Sequence, residues 1–193
     1  MKLKLLGMIL LILNVSCGSS ESDSTDDQYY SFIQLPSAGL GYYTMTTSDK
    51  LYGDPSLIMG LQQAGQRWHS SGNARSFGRM GINDISYFDG SPVPGHSSHR
   101  TGKDVDMRPV RGDGQERAVT VDSAAYSSRL NATLIRRYLD PNLGVRIILF
   151  NDPEIFGSRQ NTTSCPFPYR SGLQLNYVKC WVGHHNHLHV SVR

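Results

Sequence analysis

Gly95-His96-Ser97-Ser98-His99-Arg100-Thr101-Gly102-Lys103-Asp104-Val105-Asp106 places two histidines and two carboxylates within twelve residues. The first half is rich in small and polar residues and reads as a loop. The second half alternates, so Asp104 and Asp106 share one face of a short strand while Val105 takes the other. Gly102 lets the chain turn between the two halves. His99 thus enters from a loop beside a carboxylate held on a strand.

The C-terminal run His184-His185-Asn186-His187-Leu188-His189-Val190-Ser191-Val192-Arg193 answers it. A strand from about His185 to Val192 would put Leu188, Val190 and Val192 on a core face and His185, His187 and His189 on the other, with alternate imidazoles about 7 Å apart. Six of the seven histidines lie in these two clusters. The competing reading, a surface strand whose polar positions happen to be histidine, accounts poorly for three in register. Imidazoles and one carboxylate from remote segments, without cysteine, form the nitrogen and oxygen donor set that Zn²⁺ takes in open, catalytic sites; calcium or magnesium would want more oxygen.

Elsewhere, Asp54-Pro55 followed by Leu57, Ile58, Leu61, Ala64 and Trp68 predicts a helix near 54–69, with a cap, a proline in the first turn and apolar spacing of three and four. Tyr126, Leu130, Leu134 and Tyr138 predict a second near 123–139, stopped by Asp140-Pro141. Strand signals lie around Phe77–Ile82, Asp104–Met107 and Val145–Phe150, and at the histidine run. Long loops rich in Gly, Pro, Ser and Asn separate them. The expected class is α+β, a small antiparallel sheet with flanking helices.

The chain has 193 residues, room for one domain with a real core. Residues 1–16 carry two lysines and an apolar run from Leu5 to Leu13, a secretory signal. The cysteine after Val15-Ser16 resembles the lipidated residue of a bacterial lipobox, although Asn14 stands where an aliphatic side chain is usual. Residues 17–28 then read as a lipidated Cys17 and a disordered Ser/Asp/Glu tether, and residues 29–193 as the folded domain. Without residues 1–16 the balance is 17 basic against 16 acidic residues, which gives no electrostatic case for nucleic acid. Once Cys17 is set aside, Cys165 and Cys180 remain, a disulfide in an oxidising compartment or, alternatively, two buried thiols.

The quoted motifs resemble those of penicillin-insensitive murein endopeptidases, a family grouped with lysostaphin, the D-Ala-D-Ala peptidases and the hedgehog signalling domain. G-H-x-S-H-x-x-G-x-D-V-D stands here as Gly95 to Asp106. Tyr52-Gly53-Asp54-Pro55-Ser56-Leu57-Ile58-Met59, Val145-Arg146-Ile147 and the ending His184 to Val190 extend the similarity over about residues 42–193. The resemblance implies a hedgehog/D-Ala-D-Ala-peptidase-like fold and a Zn²⁺ site with His99, Asp106 and His189 as ligands. It makes His96 a further metal-site histidine, and His187 and His184 catalytic. It implies cross-linked peptidoglycan as substrate, with cleavage of D-alanyl to meso-diaminopimelyl bridges in the periplasm or cell envelope. Where some members carry an Asp-x-x-His element for more metal, this chain has Asp113-Gly114-Gln115-Glu116. A carboxypeptidase on the same fold and a metal-binding module without turnover are the alternatives. Asp104 is a candidate partner for a ligand or a member of a salt bridge. Arg100, Lys103 and Arg108 are candidate carboxylate binders or solvated surface.

Overall fold

The computed structural model describes residues 31–156 and 173–193; the expected signal, Cys17, the tether and Cys165 lie outside them. In chain order the strands are β1 (Ile33–Gln34), β2 (Ala38–Gly39), β3 (Tyr42–Thr44), β4 (Tyr52–Gly53), β5 (Met80–Ile82), β6 (Asp104–Met107), β7 (Val145–Leu149), β8 (Val178–Lys179) and β9 (Leu188–Val192). The helices are α1 (Pro55–Ser70), α2 (Asn73–Phe77), α3 (Ser128–Leu134) and α4 (Asp140–Leu143), with a π-helical turn over Ile135–Leu139 between the last two. The class is α+β, as expected. Among the described residues one sheet runs in the order β2-β3-β5-β6-β9-β7-β8, and β1 pairs with β4 apart from it. The sheet is antiparallel at its centre, but β3 with β5 and β7 with β8 are parallel, so it is larger and more mixed than the sequence predicts.

Helix α1 follows its predicted bounds closely. The Asp54 carboxylate accepts from the Ser56 N–H at 2.8 Å, a cap of about 1 kcal/mol. Leu57, Ile58, Leu61, Ala64 and Trp68 are buried on one stripe, in the same core cluster as Val105 and Met107 of β6 and Leu188 and Val190 of β9. Trp68 donates its indole N–H to Gly78 O at 2.9 Å and meets the Tyr138 ring edge-on at 5.0 Å. The apolar halves of β6 and β9 therefore face the core, and their polar halves face the other side of the sheet.

The second helix differs from its prediction at both ends. It starts at Ser128, capped by Ser127, because Tyr126 is drawn away to donate its hydroxyl to the buried Asp152. It does not stop at Asp140-Pro141. Pro141 occupies the first turn of α4, where its missing N–H costs nothing. The expected strand start at Phe77 is instead the end of α2, and β5 begins at Met80.

Asn131, fully buried on α3, accepts from Val110 N–H and donates to Val110 O, clamping the chain that leaves the site strand. Asn131→Ala leaves both groups unpaired and is expected to destabilise the fold by about 2–4 kcal/mol, read as a lower midpoint in urea unfolding. A loss under about 0.5 kcal/mol would show that water replaces the clamp.

Candidate metal centre and active site

The site is built on the register of β6 against β9, in which Asp106 faces His189 directly. The connection from β5 to β6 folds over the same face. Asn83 N–H donates to Asp106 O at 2.8 Å, and Asp106 N–H donates to Asp84 O at 3.0 Å, so residues 83 and 84 prolong the pairing beyond β5. Gly102, at φ 66°, lies against Gly53 and Asp54; a Cβ there would come within 2.6 Å of the Asp54 nitrogen. That contact ties the histidine loop to the start of α1.

His99 is 1% exposed, and its Nδ1–H donates to Ile85 O at 2.8 Å. A carbonyl only accepts, so Nε2 keeps its lone pair and points inward. There it meets His189 Nδ1 at 3.2 Å and Asp106 Oδ1 at 3.3 Å, and His189 Nδ1 stands 2.9 Å from Asp106 Oδ1. On the far side of the ring, His189 Nε2 lies 3.3 Å from Asp104 Oδ1, with the Ser98 and Ser191 hydroxyls each at 3.4 Å. Ser191 also donates to Asp104.

Two nitrogens and one oxygen thus form a triangle with edges of 2.9–3.3 Å. Tetrahedral Zn²⁺, bound at about 2.0–2.1 Å, needs donor atoms about 3.3 Å apart. The residues fit that ion. A wider set, His96, His99 and Asp106, also brings donor atoms within 4.8 Å of one another. The two sets share His99 and Asp106; in the wider one His96 Nδ1 is 3.5 Å from Asp106 Oδ2, while its Nε2 lies 3.2 Å from Asp84 Oδ2. His96 stacks obliquely on His99 at 4.3 Å and borders the triangle.

Electrostatics follow from this packing. Burial alone would raise the Asp106 carboxyl, but hydrogen bonds from His189 and His99 outweigh it and hold the group well below the usual carboxylate range. Burial alone would lower His189; Asp104 and Asp106, one on each ring nitrogen, lift it instead to about 9. A cation held at the triangle would take the place of the proton on Nδ1, with Nε2–H kept on Asp104, so that metal and proton would compete for one lone pair. Asp104→Ala should therefore weaken zinc affinity by about 10–100-fold in a metal-buffer titration while the fold is kept. Unchanged affinity would reduce Asp104 to a packing group.

His187 and His184 stand beside the triangle. His187 Nε2 is 3.9 Å from Asp106 Oδ2, and its Nδ1–H donates to Asn186 Oδ1 at 2.8 Å. His184 Nδ1–H donates to Val182 O at 3.0 Å, and the two rings lie 4.7 Å apart. Burial lowers both, against the pull of Asp106 on His187, and favours neutral imidazoles with a free Nε2 lone pair. The strand itself is shorter than expected. It starts at Leu188, and residues 184–187 form a turn held by Val121 N–H on His185 O and Asn151 N–H on His184 O. The His185 side chain is exposed, outside the cluster, and does not share a face with His187 and His189 as predicted.

Sequence reasoning missed Asp84. It follows the apolar strand β5, is buried, and gathers His96, Thr46 Oγ1 at 2.5 Å and Lys50 Nζ at 3.7 Å. The only local signal is an acid directly after an apolar run; its partners are remote. Asp113 and Glu116 form no metal cluster. Asp113 is held bidentately by Arg111 and Glu116 by Arg79. Each carboxylate is neutralised by its own arginine.

Residues 30–139, more than half of the chain, match the family described as penicillin-insensitive murein endopeptidase. A curated relative of that same name from Haemophilus influenzae is 29% identical over 175 residues, covering 81% of this chain. The chain spans 57% of that relative's length.

Proposed function

The chain belongs to the penicillin-insensitive murein endopeptidase family, and from that premise we propose that it is a zinc peptidase that hydrolyses peptide cross-bridges of peptidoglycan, at the D-alanyl to meso-diaminopimelyl bond. The observation that carries the reading is the triangle of His99, Asp106 and His189 donors with His184 and His187 at its edge. His99 and His189 would supply nitrogen and Asp106 oxygen to the ion, with His96 and Asp84 beside them. When bound, zinc lowers the pKa of a water and polarises the peptide carbonyl. His187 presents its Nε2 lone pair to the same space and takes the proton released in the attack, then delivers it to the leaving amine. His184, ring to ring with His187, supports the developing charge. Asp104 and Ile85 O fix the ring orientations of His189 and His99. No serine or cysteine nucleophile takes part, in keeping with a family named for its indifference to penicillin.

The same reading places the enzyme in the cell envelope, carried there by residues 1–16 and anchored by lipid on Cys17. Among the described residues no helix is long and apolar enough to cross a membrane. Cys165 would pair with the buried Cys180, just ahead of the histidine turn.

Digestion of purified cross-linked muropeptides, followed by product identification, tests the reaction. The expected products are two monomers, one with a new diaminopimelyl amine. Release of free D-alanine alone would indicate a carboxypeptidase, and intact substrate a binding module.

A further inference from the structure

We propose that Arg108 is the subsite for a substrate carboxylate, and that it selects peptides with a free carboxylate on the carbon attached to the scissile nitrogen. The substrate class rests on the endopeptidase reading; the carboxylate site rests on the following geometry.

A cavity of about 310 Å³ opens beside the triangle, with Asp106, His96, His187, Asn186 and Arg108 in its wall. Arg108 lies two residues beyond Asp106, just past the end of β6, so its side chain leaves the backbone on the side of the ligand, about 7 Å further along. Its backbone N–H donates to Gly81 O at 2.9 Å, which fixes the start of the side chain. The residue is partly buried. Other arginines of this region are committed: Arg79 to Glu116 and Arg111 to Asp113. Among the described residues no carboxylate, carbonyl or aromatic ring is paired with the Arg108 guanidinium. The one acid in the cavity wall is Asp106, and its oxygens are occupied by His99, His189 and His96.

A guanidinium held in a cleft wall with no anion beside it among the described residues is half of an ion pair whose other half arrives from solution. Its planar fork matches a carboxylate. The chemistry of the cross-bridge supplies one: the nitrogen of the D-alanyl amide is bonded to a diaminopimelyl carbon that itself carries a free carboxylate. With the carbonyl at the triangle, that group lies on the leaving side.

The test uses the zinc-loaded chain and two probes, the stem tripeptide ending in diaminopimelate and the same peptide amidated at the carboxylate beside the free amine. In calorimetric titration the wild type is expected to bind the free acid about 10–100-fold more tightly than the amide, the worth of a charged hydrogen-bonded contact. That ratio should collapse towards one in Arg108→Gln and return in part in Arg108→Lys. With cross-linked dimers, Arg108→Gln should raise KM by a similar factor and change kcat far less. Equal loss for acid and amide in Arg108→Gln, no preference in the wild type, or a fall in kcat with unchanged binding would each overturn the proposal. If the binding pattern holds but no dimer is cleaved, the carboxylate site stands and the endopeptidase reading fails.

Discussion

His99→Ala is expected to leave the chain unable to hold zinc through dialysis and to abolish hydrolysis of cross-linked muropeptides. His99 supplies one vertex of a three-atom triangle, and it is the only vertex on a loop, pinned through Ile85 O. Loss of a partner behind a ligand typically costs 10–100-fold in affinity, and removal of the ligand itself costs more. The substitution also strands the Ile85 carbonyl in the interior, a stability loss of about 1–3 kcal/mol. Elemental analysis and unfolding in the presence of chelator separate the two effects. One equivalent of zinc retained by folded His99→Ala would rule out His99 as a ligand, and with it both the triangle and the wider set that includes His96.

His187→Ala is expected to behave in the opposite manner. Zinc should remain near stoichiometric, because His187 Nε2 stands 3.9 Å from Asp106 and outside the triangle. Turnover should fall by about 10²–10⁴-fold, the usual worth of a positioned acid–base group. His189→Ala, two residues on and inside β9, should lose metal and activity together. The contrast is sharp because both residues are histidines of the same seven-residue run, distinguished only by what their nitrogens face. If His187→Ala loses its zinc, the ligand assignment is wrong. If it keeps zinc and full activity, the proton is carried by another group, and His184, with its ring 4.7 Å away, is next.

The parts legible in the sequence were those governed by local rules. Asp54-Pro55 and the stripe from Leu57 to Trp68 define α1 because a cap and a 3.6-residue period are local properties. The strand Asp104–Met107 and the apolar half of β9 follow from alternation. The gathering of His96, His99, Asp106, His184, His187 and His189 was readable because so many donors in so few residues demand a shared use. What escaped was set by distant partners. Asn151 and Val121 pull residues 184–187 out of the strand and turn His185 to solvent. Asp152 draws Tyr126 out of the second helix. Asp84 carries no mark in its own neighbourhood. Strands of two or three residues such as β1, β2 and β8 are too short to show a period.

The facing of Asp106 with His189 across β6 and β9 makes this site sensitive to something other than side-chain identity. In that antiparallel ladder a slip of one residue would set Leu188 or Val190 opposite Asp106 and turn every donor of one strand into the core. A slip of two would restore the faces but oppose Asp106 to His187 or Ser191, giving a well-packed sheet with a different donor set. A metal held there would therefore reward one alignment among several that bury similar apolar surface, between residues 83 positions apart in sequence. Zinc present during refolding would act as a proofreader of strand alignment, and protein refolded without it would be the place to look for correctly compact, wrongly threaded chains.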